Sequence, residues 1–204
     1  MYGARQHGLA PHLKKKIINK TIHNIMALTC KLSQNITRTD NCGYSLPEIV
    51  DIYLANFKDV SATALSAETC GESVTGITMG NSAYTWYHIE PAKNSASFED
   101  ALVVADNGSR YRTHTLTFNV NGAYTSCMHQ NLDDLALGKF IAVVKTAEGS
   151  YLMLGRLTGL EAETATLSGG GDTNGLQIVL SANVTESAIP VTGGAITTVT
   201  TNPA

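Results

Sequence analysis

ASFEDALVVADNGSRYRTHTLTFNV, residues 96–120, is the stretch that decides the fold class. Two runs rich in β-branched and apolar side chains, 96–105 and 110–120, flank Asp106-Asn107-Gly108-Ser109. Asp, Asn and Gly tolerate the positive φ that tight hairpin turns demand. In the second run Tyr111, Thr113, Thr115 and Thr117 take one face, and His114, Leu116, Phe118 and Val120 take the other. A period of two marks a strand buried on one side.

The same signals recur outward from this hairpin. Residues 48–55 (EIVDIYLA) lie between Pro47 and Asn56 and read as a strand, as do 83–89 (AYTWYHI). Residues 139–146 and 150–157 flank Ala147-Glu148-Gly149 as a second hairpin. Residues 159–168 alternate around Leu160, Ala162, Thr164 and Thr166; after the glycine-rich 169–175, residues 176–184 (LQIVLSANV) form a last strand. Residues 56–82 are small and polar, with Gly71, Gly76 and Gly80, and read as a long loop. One segment breaks the pattern: within 123–137, Met128, Leu132 and Leu135 recur at spacings of four and three, and Gly138 stands where a helix C-terminal glycine belongs.

The expected fold is therefore mainly β (α+β): a β-sandwich or partly closed barrel of about seven strands with one flanking helix, about 123–137. The domain runs 26–184. Residues 185–204, Thr-rich with Pro190, Gly193, Gly194 and Pro203, read as a flexible C-terminal arm that orders against a partner. Residues 1–25 read as a basic, disordered leader: either a basic arm, or an over-extended reading frame upstream of a start at Met26, which is the favoured alternative.

Charge narrows the function. Charged residues make up 15% of the 204, well below the ~25% of ordinary domains, so Thr, Ala, Gly and Asn must form much of the surface. Such a surface suits strands and faces covered by neighbouring subunits. Residues 26–204 hold nine of the 14 basic residues and all 17 acidic ones, a formal net charge of −8. That composition excludes a dedicated nucleic-acid-binding surface, which needs clustered Lys and Arg. No apolar run approaches the ~18 residues of a membrane span.

The chemistry-bearing residues form no site. Cys30, Cys42, Cys70 and Cys127 are far apart, without the C-x-x-C spacing of zinc or redox sites. His7, His12 and His23 lie in the leader; His88, His114 and His129 lie in the domain without metal-ligand spacing. Glu99 and Asp100 are strand neighbours and point to opposite faces. Asp133 and Asp134 fall on the solvent side of the helix, and Glu161 and Glu163 on one strand face. Gly169-Gly170-Gly171-Asp172 lacks the Lys-Ser/Thr of a phosphate loop. No catalytic, cofactor-binding or metal-ligating residue is expected, and no enzyme.

Three segments carry a resemblance: IYLANFKDV (52–60), NSASFEDALVVADNGSRYRTHTLTFNVN (94–121) and LALGKFIAVVKTAEGSYLMLGRLTGLEA (135–162). Together they resemble a group of uncharacterised virion structural proteins of phages and prophages of Bacteroides-type gut bacteria, over roughly residues 30–184. The order of strands and helix is similar to that of phage tail tube proteins, whose subunits form hexameric rings that stack. The resemblance implies a virion protein, assembled in the host bacterial cytoplasm. It would associate with itself into rings and tubes, contact other tail or connector proteins, and let DNA pass without specific binding. The alternatives are a capsid decoration or head–tail connector protein, and a carbohydrate-binding adhesin using Tyr84, Trp86 and Tyr87 as an aromatic platform.

Overall fold

The computed structural model describes residues 36, 46, 48–68, 71–122, 125–170 and 174–201. Strand β1 (Ile49–Asn56) is followed by β2 (Val60–Glu68), β3 (Gly71–Met79), β4 (Tyr87–Ile89), β5 (Ser97–Val104) and β6 (Arg110–Val120). Helix α1 (Ser126–Leu137) then leads to β7 (Lys139–Thr146), β8 (Tyr151–Leu154), β9 (Leu160–Ser168), β10 (Gly175–Val184), β11 (Ile189–Pro190) and α2 (Gly194–Thr200). The protein is mainly β, with one large antiparallel sheet and a small β2–β3 sheet. The expected sandwich-like α+β class is what the chain adopts.

The decisive hairpin forms as read. Gly108 takes a φ of 80°, its N–H donates to the Ala105 carbonyl (2.8 Å), and the Ser109 N–H donates to the Asn107 side chain (2.9 Å). β5 and β6 then pair without a break from Val104 with Arg110 to Ser97 with Thr117. His114, Leu116 and Phe118 are buried, as the alternation requires.

The large sheet runs β11-β8-β7-β9-β10-β6-β5, with β1 added to β7 and β4 to β1. It folds on itself at β7. Ala142 to Lys145 pair with β8, whereas Lys139 and Phe140 pair with Glu161 and Leu160 of β9. The two halves enclose one core: Ile52, Leu54, Phe140 and Val144 meet Leu116, Phe118, Ile178 and Leu180. The other face of β1–β7–β8 bears a second core, in which Tyr53, Ile141, Val143 and Met153 meet Trp86, Val74, Ile77, Ala195 and Val199. β7 is thus covered on both sides, which is why it reads as the continuous run FIAVV.

Four expectations are corrected. Eleven strands and two helices occur among the described residues, not about seven and one. The supposed loop 56–82 holds the β2–β3 hairpin. Its strands carry mostly Ala, Ser, Thr and Gly, and only Val74, Ile77 and Ser73 are buried, so the apolar alternation is too faint to read. The 185–204 arm contains β11 and α2. Helix α2 (GAITTVT) has poor intrinsic propensity, and it forms because Ala195 and Val199, four residues apart, both bury in the second core. In β9 a bulge at Glu163 sets Val179 opposite Thr164 but Leu180 opposite Ala162. The extra residue switches the parity, so Ala165 packs on the core side with Leu160, Leu167 follows in that register but is 38% exposed, and Thr164 and Thr166 face out.

Helix α1 begins three residues later than expected, and residues 123–124 lie outside the described set, as do the leader, Cys30, Cys42, Cys70 and the Met128 side chain. Leu132 and Leu135 pack at the rim of the first core, and Asp133 and Asp134 are exposed as read. Gly138 is needed for space rather than for a left-handed turn: a Cβ there would lie 2.3 Å from Phe140 Cζ and 2.6 Å from the Asp134 carbonyl oxygen.

Candidate assembly interface

The polar residues of the fold resolve into structural clusters. On β5, Asp100 turns inward. Its Oδ1 accepts from Arg112 Nε at 2.5 Å, and its Oδ2 accepts from the Ala188 N–H at 3.0 Å. Burial works against the Asp100 charge, yet these bonds and the Arg112 cation hold the carboxyl below its usual value. His114, fully buried, accepts from the Gly155 N–H at Nδ1 (3.2 Å), so its proton sits on Nε2, 3.5 Å from Asp100 Oδ1. Burial holds the imidazole below the ordinary histidine value, against the pull of Asp100 and Glu186. Nearby, Arg156 grips Glu186, with Nε 3.1 Å from each carboxylate oxygen and Nη2 on Oε2, and reaches Thr63 of β2 with Nη1. The cluster ties the β10–β11 connection to β5, β6 and the turn after β8.

A second cluster sits on β1, β4 and β7. Asp51 accepts from Lys145 Nζ (2.8 Å) and contacts His88 Nε2 (2.9 Å), whose ring stacks on Tyr53 at 4.9 Å between centroids. Burial opposes the Asp51 charge, but the Lys145 and His88 bonds outweigh it and the carboxyl titrates below its usual value. The bond to Asp51 raises Lys145 correspondingly. Asp100 and Asp51 are each held by their own partners, whereas His114 Nε2 is buried without a hydrogen-bond partner among the described residues.

The remaining candidates separate. Glu99 is exposed on the face opposite Asp100, Glu161 pairs with Lys139 (2.7 Å), Glu163 stands at the bulge, and His129 faces Asp133 on exposed α1. Residues 171–173 of the glycine loop lie outside the described set. Trp86 is fully buried, so the aromatic platform reduces to Tyr84 and Tyr87. Among the described residues no three His, Cys, Asp or Glu side chains converge to hold a metal, and no helix is long and apolar enough to cross a membrane. A cleft of about 1130 Å³ opens between β4, α1 and the ends of β1 and β6, floored by Leu54, Phe118, Leu135 and Phe140. Among the described residues no Ser, Thr, Cys, Lys or Arg lines it, and its polar lining is Tyr87, His88, Glu90, Asp134 and three asparagines.

Two surface features do stand out. The first is strand edges. Among the described residues β5 pairs only with β6, and β2 only with β3, which leaves an eight-residue and a nine-residue edge unpaired. Neither strand contains Lys, Arg or Pro, although β5 carries Glu99 and the inward-turned Asp100 and the β2–β3 ladder has register shifts at Val60/Ala62 and Ala64/Leu65, features that also temper a free edge. Leu102 and Val104 on β5 are 60% and 59% exposed.

The second is the outward face of β5–β6–β10–β9. Register sets Ser97, Thr117, Val179 and Thr164 in one row and Glu99, Thr115, Ser181 and Glu161 in the next. Rows of Ala101, Thr113 and Asn183, and of Asn119, Gln177 and Thr166, flank them. These rows contain no Lys or Arg; Lys139 enters only at the border, neutralised by Glu161. A sequence reading could have found the Thr113-Thr115-Thr117 row, and did, but the β9 and β10 rows beside it depend on the bulge at Glu163. Comparison of the chain with protein families, with curated proteins and with solved structures finds no match.

Proposed function

We propose that this chain is a structural subunit of a tailed bacteriophage virion, a tail-tube-like protein whose copies close into rings that stack around a DNA channel. The observation that carries this reading is the pair of long strand edges on β5 and β2, unpaired among the described residues and free of Lys, Arg and Pro. A free edge is a template for another strand, and two such edges suit pairing with copies of the same chain. Two different edges, used head to tail, build a ring when the rotation between copies closes.

The cation-free rows on the outward face of β5–β6–β10–β9 support the channel part. Thr, Ser, Asn and Gln offer hydrogen-bonding groups without positive charge, and Glu99 and Glu163 are exposed there. Such a surface repels phosphate weakly and binds it nowhere, so DNA can slide along it. No step of chemistry is involved; the product of the protein is a shape.

Negative-stain imaging of the purified chain tests the reading. Rings or tubes are expected. A monomer that persists at high concentration contradicts it, and a protein that joins only a capsid lattice or a portal points to a decoration or connector role instead.

A further inference from the structure

Resting on the ring reading, we infer which surfaces meet: the free edge of β5 in one copy pairs with the free edge of β2 in the next. Among the described residues β5, of eight residues, and β2, of nine, each pair with one strand only, whereas the outer side of the nine-residue β3 is met in part by the bridge from Val74 to Val191 and by the Thr192 N–H bond to the Val74 carbonyl. At the margins of the large sheet, β4 and β11 have three and two residues, too few for a sheet contact that must hold two subunits together.

The side chains along the two edges are compatible. β5 shows Leu102 and Val104 to solvent at its C-terminal end, an apolar pair that β6 leaves uncovered. β2 shows Ala62, Ala64 and Ser66, small and uncharged, with its first acidic residue at Glu68. Pairing therefore brings large apolar side chains beside small ones and sets no like charges opposite one another along the middle of the ladder. The chain carries a formal net charge of −8 over residues 26–204, so copies repel at long range, and these edges are where that repulsion is least.

The two edges are also held in fixed relation. Arg156 bonds both Glu186 and Thr63 of β2, and Asp100 of β5 bonds Ala188, two residues along from Glu186. The buried polar cluster thus connects the strand that donates an edge to the strand that accepts one, and so constrains the angle between successive copies. That is a use for a cluster that performs no chemistry.

Because the two edges differ, the contact is heterologous, and blocking variants can be mixed. One variant, Leu102→Lys with Val104→Lys, closes β5; another, Ala62→Lys with Ala64→Lys, closes β2. All four positions are solvent-exposed, so circular dichroism and the urea midpoint should match the parent; if a double variant falls short, Val104→Lys or Ala64→Lys alone reads the same loss. Each variant alone is expected to be monomeric by sedimentation velocity. An equimolar mixture is expected to form a one-to-one dimer through the single intact β5–β2 pair, and no ring. If the parent forms rings and the blocked variants still do, the assignment of edges falls while the ring reading stands. If the β2-blocked variant dimerises alone, β5 pairs with β5 and the inference is overturned. If the parent itself never associates, both fail.

Discussion

Replacing Asp100 by Ala should cost about 1.5–4 kcal/mol of folding stability at pH 7. The magnitude comes from its partners. The carboxylate accepts from Arg112 Nε and the Ala188 N–H, with its own side chain 15% exposed. Arg112 is 34% exposed, so water can take over that guanidinium, and its pair contributes only about 0.5–1 kcal/mol. The part-buried Ala188 N–H has no such recourse, and an orphaned donor of this kind costs about 1–3 kcal/mol. Asp100→Asn keeps an acceptor for Ala188 and should cost about half as much. Urea unfolding, extrapolated linearly to water, measures both. Acid supplies a second arm. Asp100 has a folded pKa below its usual 3.8, so its contribution is fully present above pH 3.8 and is lost as pH falls through the lower folded value. The Asn variant should therefore lose less stability than the parent on acidification below pH 4, with Asp51 still supplying part of the slope. A loss under about 0.5 kcal/mol for Asp100→Ala at pH 7 would refute the idea that this residue clamps the β10–β11 connection.

Three further outcomes follow from the same geometry. His114 titrates below 6.5 when folded, so the unfolded chain takes the proton first; stability should be complete above pH 6.5 and fall as pH drops through the folded value, and His114→Gln should flatten that part of a stability-versus-pH curve. Deleting residues 193–204 should lower stability by about 2–4 kcal/mol, because Ala195 and Val199 leave the second core; limited proteolysis of the intact chain should spare α2. Trp86, the single tryptophan, is fully buried, so its fluorescence should resist acrylamide in the native protein and shift to longer wavelength with loss of protection in urea.

How far the sequence could be read depended on burial contrast. β6 was legible because one of its faces is core and the other Thr, and β7 because both faces are core. β2 and β3 were not, because a ribbon that buries only Val74, Ile77 and Ser73 looks like a polar loop. α2 was hidden by its β-branched composition and by two glycines at its start; tertiary burial overrode propensity. The single inserted residue at Glu163 could not be seen, since a bulge leaves no composition signal and yet inverts every side chain beyond it. The separation of Glu99 from Asp100 was legible from strand alternation alone. The Asp100–Ala188 bond was not, because it joins positions 88 residues apart. The free edges were invisible for the same reason, since an edge is defined by the strand that is missing beside it.

The central claim is that copies of this chain assemble through strand edges. Sedimentation velocity of the full chain across a concentration series tests it most directly. The account predicts a closed multi-subunit species that grows at the expense of the 21.6 kDa chain and gives way to stacked, faster-sedimenting material. A single 21.6 kDa species at every concentration would contradict it.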